Sequence, residues 1–178
     1  MKKAIIILGL VFFSIQSYAQ AGDLHFGLQG GYATYYKEAQ RDIFKPFYGL
    51  NISYDLANPL QISLTGLMKP KFFKTVDYNH ELSEQLSLYS ANLDVRLFLI
   101  NMGSWATGPS LGGQYMYINK KDNIFGSDNL FGFNIGWHLR INITDNLRAT
   151  GGWRYSSMKE SESFSLFYVG IGYAFNLF

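Results

Sequence analysis

The sequence predicts an all-β fold, an eight-stranded antiparallel up-and-down transmembrane β-barrel. Three observations predict this fold. Apolar and polar residues alternate with a period of two over most of the chain, long and short connections follow one another in turn, and the charged residues within the strands share one face. Aromatic residues make up 17% of the chain and charged residues only 16%. A chain of this composition must bury its aromatic surface or present much of it to something other than water.

The first residues have the pattern of a secretory signal peptide. A lysine pair precedes an apolar run from Ala4 to Ile15, and small residues end the segment at Ala19. The run is shorter than the roughly 20 apolar residues that a membrane-spanning helix needs. We therefore expect residues 1–19 to be a signal peptide and residues 20–178 to form one outer-membrane-type β-barrel domain.

Eight segments show the alternation of a β-strand. The clearest is FGFNIGWHLRINI, in which every odd position is apolar and the even positions hold Gly, Asn, His or Arg. A helix would mix these two sets over one surface, whereas a strand separates them onto two faces. Each segment has the nine or more residues that a tilted transmembrane strand requires. In chain order, the predicted strands are Leu24–Tyr36, Phe47–Leu56, Leu60–Met68, Ser87–Leu99, Trp105–Tyr117, Phe131–Ile143, Leu147–Tyr155 and Phe164–Leu177.

One face of every strand carries small or polar residues, as the crowded interior of a narrow barrel requires. In strand order, these inner positions are Gly27, Gly31 and Ala33; Gly49 and Ser53; Ser63; Ser90 and Asn92; Gly112; Gly132 and Gly136; Gly152; and Gly170 and Gly172. A soluble barrel would instead expose a polar face rich in Lys and Glu. The small residues therefore favour a membrane barrel with an inner polar face.

The connections divide into two classes that alternate along the chain. The long ones are residues 37–46, 69–86, 118–130 and 156–163, and the short ones are residues 57–59, 100–104 and 144–146. Long and short connections therefore lie at opposite ends of the sheet, as in barrels with extended outer loops and tight periplasmic turns. Pro109 follows Gly108 inside the fifth strand and cannot donate to a strand ladder, so we expect a bulge or irregular stretch there.

The charged residues inside the strands all have the parity opposite to the aromatic stripe. They are Asp55, Asp94, Arg96, Arg140, Arg148 and Arg154. A lipid-facing Arg near the bilayer midplane costs about 2–4 kcal/mol, so a charge-free outer face is expected of a membrane barrel. Aromatic residues gather at both ends of that outer face, where amphipathic rings favour the membrane interfaces. They are Tyr32, Tyr36, Tyr48, Tyr89, Tyr115, Tyr117, Phe131, Tyr155 and Phe167 at the loop end, and Tyr54, Trp105, Tyr173 and Phe175 at the turn end.

With these strands, the signal peptide and the ending GYAFNLF, the chain resembles the small outer-membrane β-barrels of the OmpA/OmpX type. The resemblance covers essentially the whole mature chain. It implies a monomer in the cell outer membrane, with four loops outside and both ends in the periplasm, and we expect a barrel-only member without a peptidoglycan-binding domain. It also implies a non-catalytic role in envelope integrity, adhesion or host-surface contact. Tyr173, Phe175 and Phe178 resemble the signal read by the barrel-assembly machinery, although Phe178 is out of phase with the stripe that ends at Leu177.

The inward polar residues lie mostly toward the turn end. They are Asp55, Asp94, Arg96, His138, Arg140, Arg148 and Arg154, and we expect His25 and Asn142 to join them. Arginine forks that bridge carboxylates would fill the lumen, because eight strands enclose only enough space for side chains. The alternative is a small anion-preferring pore, since more arginines than aspartates face the lumen.

A lipid-modifying enzyme is a further alternative, because eight-stranded outer-membrane lipid A deacylases use a His, a Ser and an acidic residue. The segment His80–Ser83 lies in the longest loop, and His138 has no Ser two places on. A nucleophilic Ser needs an adjacent, oriented base, and the sequence shows none. Three His and no Cys match no metal-ligand spacing, so we predict no catalytic, cofactor-binding or metal-binding residues. A formal net charge of +2 is too small to suggest nucleic-acid binding.

The connection KPKFFKTVDYNHELSEQL is the candidate surface-binding loop. Lys69, Lys71 and Lys74 are the candidates to pair with phosphates of lipopolysaccharide. Aromatic side chains among them, Phe72, Phe73 and Tyr78, are candidates to contact outer-membrane lipid or an extracellular protein partner. The alternative is that the flanking strands simply extend beyond the membrane.

Overall fold

The computed structural model describes residues 22–37, 40–69, 86–120, 128–158 and 163–176. The predicted signal peptide lies outside these ranges. No helix within them is long and apolar enough to cross a membrane. The strands are β1 (Asp23–Lys37), β2 (Gln40–Ala57), β3 (Leu60–Lys69), β4 (Leu86–Leu97), β5 (Ile100–Asn101), β6 (Trp105–Lys120), β7 (Asp128–Asn142), β8 (Leu147–Met158) and β9 (Ser163–Asn176).

Eight long antiparallel strands close into a barrel. They follow the order β4-β3-β2-β1-β9-β8-β7-β6, and β4 also pairs with β6. The two-residue strand β5 only extends the ladder of β6 beside a turn. Closure gives every long strand two neighbours and removes the unpaired edges of an open sheet. The predicted fold class, an eight-stranded antiparallel up-and-down barrel, is confirmed.

The two faces of the strands differ as the alternation predicts. In β7, the side chains of Phe131 and Trp137 are 64% and 47% exposed on the outer face, whereas Asn134 and His138 are each 1% exposed on the inner face. Val169 and Ile171 extend the exposed apolar surface onto β9. An exposed apolar belt of this kind suits a lipid-facing surface and would be unfavourable in water.

The strand ladder is irregular beside Pro109, as expected, but the irregularity lies in the neighbouring chain segment. Strand β6 pairs with β7 without interruption past Gly108 and Pro109. On its other side, the ladder with β4 stops at Arg96↔Ser110 and resumes with β5 at Ile100↔Thr107, shifted by one residue. A Cβ on Gly108 would collide with the carbonyl oxygen of Leu97. The backbone between β4 and β5 therefore approaches Gly108 too closely for any larger residue at this position.

The first long connection is much shorter than the sequence suggests. Strand β2 begins at Gln40, and the ladder with β1 reaches Lys37↔Gln40, so only residues 38–39 separate the two strands. The prediction of a loop over residues 37–46 is therefore wrong. The backbone ladder does not depend on the side-chain pattern, and it continues here although apolar and polar residues no longer alternate. Strand β8 likewise continues to Met158.

Candidate functional site

Charged and polar side chains from several strands line the interior near the turn end of the barrel. We call this set the polar network. All seven predicted members lie on inner-face positions: Asp55 on β2, Asp94 and Arg96 on β4, His138 and Arg140 on β7, and Arg148 and Arg154 on β8. Asp94, Arg96, His138 and Arg154 are buried, and the other three are partly buried.

Asp55 is the centre of the part of the network nearest the turns. Its carboxylate accepts hydrogen bonds from Gln61 Nε2 at 2.7 Å and from Arg148 Nη1 at 3.1 Å. Arg140 Nη1 lies 3.3 Å and 3.2 Å from the two carboxylate oxygens. Arg148 also donates from Nη2 to Asp23 at 2.6 Å. Charge-assisted bonds of this kind hold partly buried ions in fixed geometry.

His25 joins this centre, while Asn142 does not. His25 Nε2 lies 2.9 Å from Asp55 Oδ2. Asn142 instead donates to the backbone carbonyl of Gly103 at 2.7 Å and fastens a turn, so the expectation for Asn142 is wrong.

Asp23, His25 and Asp55 come close enough together to resemble a metal-binding set. Their ligand atoms all lie within 4.8 Å of one another. The guanidinium of Arg148 occupies their centre, however, since it is hydrogen-bonded to both carboxylates and lies 2.6 Å from His25 Nε2. A resident guanidinium repels a metal cation and already supplies the positive charge that these carboxylates need.

A chain of hydrogen bonds leads from Asp55 deeper into the lumen. Gln61 accepts from Arg96 Nη1 at 3.0 Å, and the same nitrogen lies 3.5 Å from His138 Nε2. On its other side, the His138 ring is 2.8 Å from the hydroxyl of Tyr168. Arg96 has no carboxylate oxygen within 4.0 Å among the described residues.

The deepest ion pair joins Arg154 to Asp94. Arg154 Nη2 donates to Asp94 Oδ2, and the two side chains are only 3% and 0% exposed. The guanidinium carbon of Arg154 also lies 5.8 Å from the ring centre of Tyr168. Within the described chain, Asp94 Oδ1 has no hydrogen-bond partner, so Arg154 is its principal compensation.

Sequence reasoning missed three members of the network: Asp23, Gln61 and Tyr168. Asp23 comes just before the first predicted strand, so its position in the sequence indicates only the turn end of the barrel. Gln61 shares its parity with Ser63, and Tyr168 with the inner glycine Gly170. Parity alone therefore places Gln61 and Tyr168 on the inner face. It does not predict which residues they contact there.

A second part of the interior, toward the loop end, is apolar. We call it the apolar layer: Ala33, Phe47, Leu67, Leu88, Met116, Met158, Phe164, Leu166 and Tyr168. Met116 and Leu166 are 0% exposed. Apart from Ala33, the members of this layer are not among the small and polar residues predicted for the inner face, although Leu166 has the same parity as Gly170. These packed side chains fill the loop half of the described interior.

The position of Lys69 contradicts its predicted place in the candidate surface-binding loop. It is the last residue of β3, pairs with Leu88 across the ladder and is only 2% exposed. It shares the inner-face parity of Leu67, so its side chain cannot lie on an exposed loop surface. The prediction that Lys69 contributes to that surface is wrong, while Lys71, Phe72, Phe73, Lys74 and Tyr78 lie outside the described residues.

Tyr173 and Phe175, the described residues of the predicted assembly signal, lie on the outer face of β9. They are 47% and 46% exposed, and their ring centres are 4.9 Å apart. Phe26 of β1 packs edge-on against Phe175 at 5.8 Å. Phe178 and the segment His80–Ser83 lie outside the described residues.

Comparisons with known proteins agree with this architecture. The family profile described as "Outer membrane protein beta-barrel domain" matches residues 5–175. No curated protein matches the chain in sequence. Ail, the attachment invasion locus protein of Yersinia pestis, has a similar structure with a TM-score of 0.64 and 14% identity, covering 88% of this chain and 100% of that chain. Ail has also been solved in complex with the heparin analogue sucrose octasulfate.

Two further solved barrels are similar. The N-terminal β-barrel domain of Pseudomonas aeruginosa OprF gives a TM-score of 0.63 at 18% identity, covering 87% of this chain and 98% of that chain. Neisserial surface protein A gives 0.67 at 12% identity, covering 86% and 99%. At these identities the likeness shows the fold alone. The family profile spans nearly the whole chain, and the protein therefore belongs to the outer membrane protein β-barrel domain family and resides in the cell outer membrane.

Proposed function

We propose that the protein is a non-catalytic, non-conducting barrel that serves envelope structure or surface contact through its extracellular loops. The observation that carries this proposal is the filled interior. The polar network occupies the turn half of the lumen and the apolar layer the loop half. An eight-stranded barrel is just wide enough for side chains to fill, so little space remains for an ion path.

Single-channel recording in planar bilayers tests this proposal against the small anion-preferring pore. The refolded protein should insert without giving a steady unitary current, while a conducting outer-membrane barrel in the same bilayers serves as the positive control. A reproducible current whose reversal potential in a KCl gradient indicates anion preference would refute the proposal and establish the pore.

The arrangement of histidines argues against a lipid-modifying enzyme. His138 is 1% exposed, and its ring nitrogens lie beside Arg96 Nη1 and the Tyr168 hydroxyl. His25 contacts Asp55 and Arg148. Neither described histidine is hydrogen-bonded to a Ser hydroxyl, as an activated nucleophile requires. Purified protein should leave lipid A intact, and release of acyl chains would reverse this conclusion.

The loop over residues 70–85 is the proposed contact surface. Lys71 and Lys74 would pair with phosphates of lipopolysaccharide, and Phe72, Phe73 and Tyr78 would contact lipid or a protein partner. The likeness to Ail, which has been solved with a polyanionic heparin analogue, is consistent with such a role. Tyr173, Phe175 and Phe178 would serve earlier, as the signal for the barrel-assembly machinery.

The lysine pair can be tested against a matched control. K71Q/K74Q should weaken binding to immobilised lipopolysaccharide, whereas K121Q/K159Q removes the same charge from other predicted loops and should have little effect. Equal binding by both double variants would exclude a specific role for Lys71 and Lys74.

A further inference from the structure

Arg96 carries a buried charge without a carboxylate counterion. The residue is 2% exposed, and no described carboxylate oxygen lies within 4.0 Å of its guanidinium. Its Nη1 contacts Gln61 and His138, while its Nε has no hydrogen-bond partner among the described residues. Burying an ion is costly unless an opposite charge and hydrogen bonds compensate it. Some further negative charge is therefore needed near Arg96.

The other ionic groups of the network are already matched. Arg154 pairs with Asp94, and Arg148 and Arg140 share Asp55 and Asp23. With four arginines and three aspartates in the described network, one positive charge is left over, and the geometry assigns it to Arg96.

A small cavity lies beside Arg96, and its lining is rich in hydrogen-bond donors. Besides Arg96, its polar lining is His25, Asn51, Ser53, Gln61, His138, Arg148 and Thr150, and no carboxylate contributes. The space open to the centre of a water-sized sphere is about 20 Å³. About 10–15 Å³ measured in this way holds one water molecule, so the cavity fits one particle of nearly that size.

We propose that this cavity binds one small monovalent anion, chloride in the cell. A chloride ion is only slightly larger than water, accepts several hydrogen bonds and carries the charge that Arg96 lacks. A water molecule could accept a hydrogen bond from Arg96 but would leave its charge uncompensated. Sulfate and phosphate are too large for the space. The site goes beyond the extracellular role proposed above and does not depend on it.

Bromide provides a direct test, since it resembles chloride and scatters anomalously. Crystals of the refolded barrel grown or soaked in bromide should show one anomalous peak inside the lumen, within contact distance of the Arg96 guanidinium. A cavity that contains only water, or bromide found only on the outer surface, would overturn the proposal.

The chloride dependence of stability tests the same site in solution. Above saturation of a single site, each tenfold rise in chloride raises the folded-to-unfolded ratio about tenfold. Ionic strength is held constant with gluconate, which is too bulky to enter. The wild type should therefore show a slope near one when the logarithm of the folded-to-unfolded ratio is plotted against the logarithm of the chloride concentration. A slope of zero would refute the proposal.

Two variants locate the effect. R96M should abolish the chloride dependence, whereas D94N/R154M, which removes a lumen arginine together with its own carboxylate and so keeps the excess positive charge, should retain it. Loss of the dependence in D94N/R154M but not in R96M would place the anion elsewhere and overturn the assignment. If R96M does not fold, R96K, which keeps the charge, provides the comparison: weaker but measurable chloride dependence supports the site, and wild-type dependence contradicts it.

Discussion

The Arg154–Asp94 pair offers the sharpest test of the interior. Arg154→Met replaces a guanidinium by an apolar side chain and leaves the carboxylate of Asp94, which is 0% exposed, without its ionic partner. Breaking a buried pair in this way costs about 3–5 kcal/mol, because the remaining charge stays out of water. Since about 1.4 kcal/mol corresponds to a tenfold change, the folded-to-unfolded ratio should fall by roughly two to four orders of magnitude.

Equilibrium urea unfolding in phospholipid vesicles, followed by tryptophan fluorescence, measures this loss. The double variant D94N/R154M removes both charges and should recover part of the stability. R148M is the comparison nearer the turns, where Asp55 keeps Arg140 and Gln61 and the side chains are 11–23% exposed, so its cost should be smaller. A cost below about 1 kcal/mol for R154M, or no recovery in the double variant, would show that the pair is not a buried, mutually dependent unit.

Three further predictions concern the apolar layer, the outer face and assembly. Met116→Ala removes a 0% exposed side chain and should lower the free energy of unfolding by about 2–5 kcal/mol, measured by the same urea titration. Val169→Arg places a charge on a 70% exposed outer position and should cost about 2–4 kcal/mol in vesicles, while Val169→Leu should be nearly neutral. Deleting Phe178 should reduce the amount of folded barrel in the outer membrane of cells, and unchanged assembly would exclude the terminal residue from the signal.

Strand number, pairing order and face could be predicted from the sequence because they depend on local alternation. Trp137 and His138 are adjacent in the chain, and a period of two alone sends one outward and the other inward. The prediction of a loop over residues 37–46 was wrong for the same reason. These residues lack alternation, yet Gln40 still pairs with Lys37 in the ladder. A backbone ladder can therefore continue where the hydrophobic pattern that predicts it has ended.

The partners inside the lumen could not be predicted, since they join residues far apart in the chain. Arg148 reaches Asp55 across 93 positions, and nothing in either neighbourhood of sequence indicates the other. The side-chain direction of Lys69 also could not be predicted from its neighbours in the sequence. Its position next to a loop suggested exposure, but the register of β3 directs it inward.

Closure of the loop end by the apolar layer, as we propose, would make the interior accessible from one side only. Side-chain exposure rises from 0% at Asp94 through 13% at Asp55 to 23% at Asp23, toward the turns. Under that proposal, water, protons and small ions would exchange with the polar network through the turn end. The ionic state of the lumen should then follow the compartment that bathes the turns and be insensitive to the salt or pH of the medium around the loops.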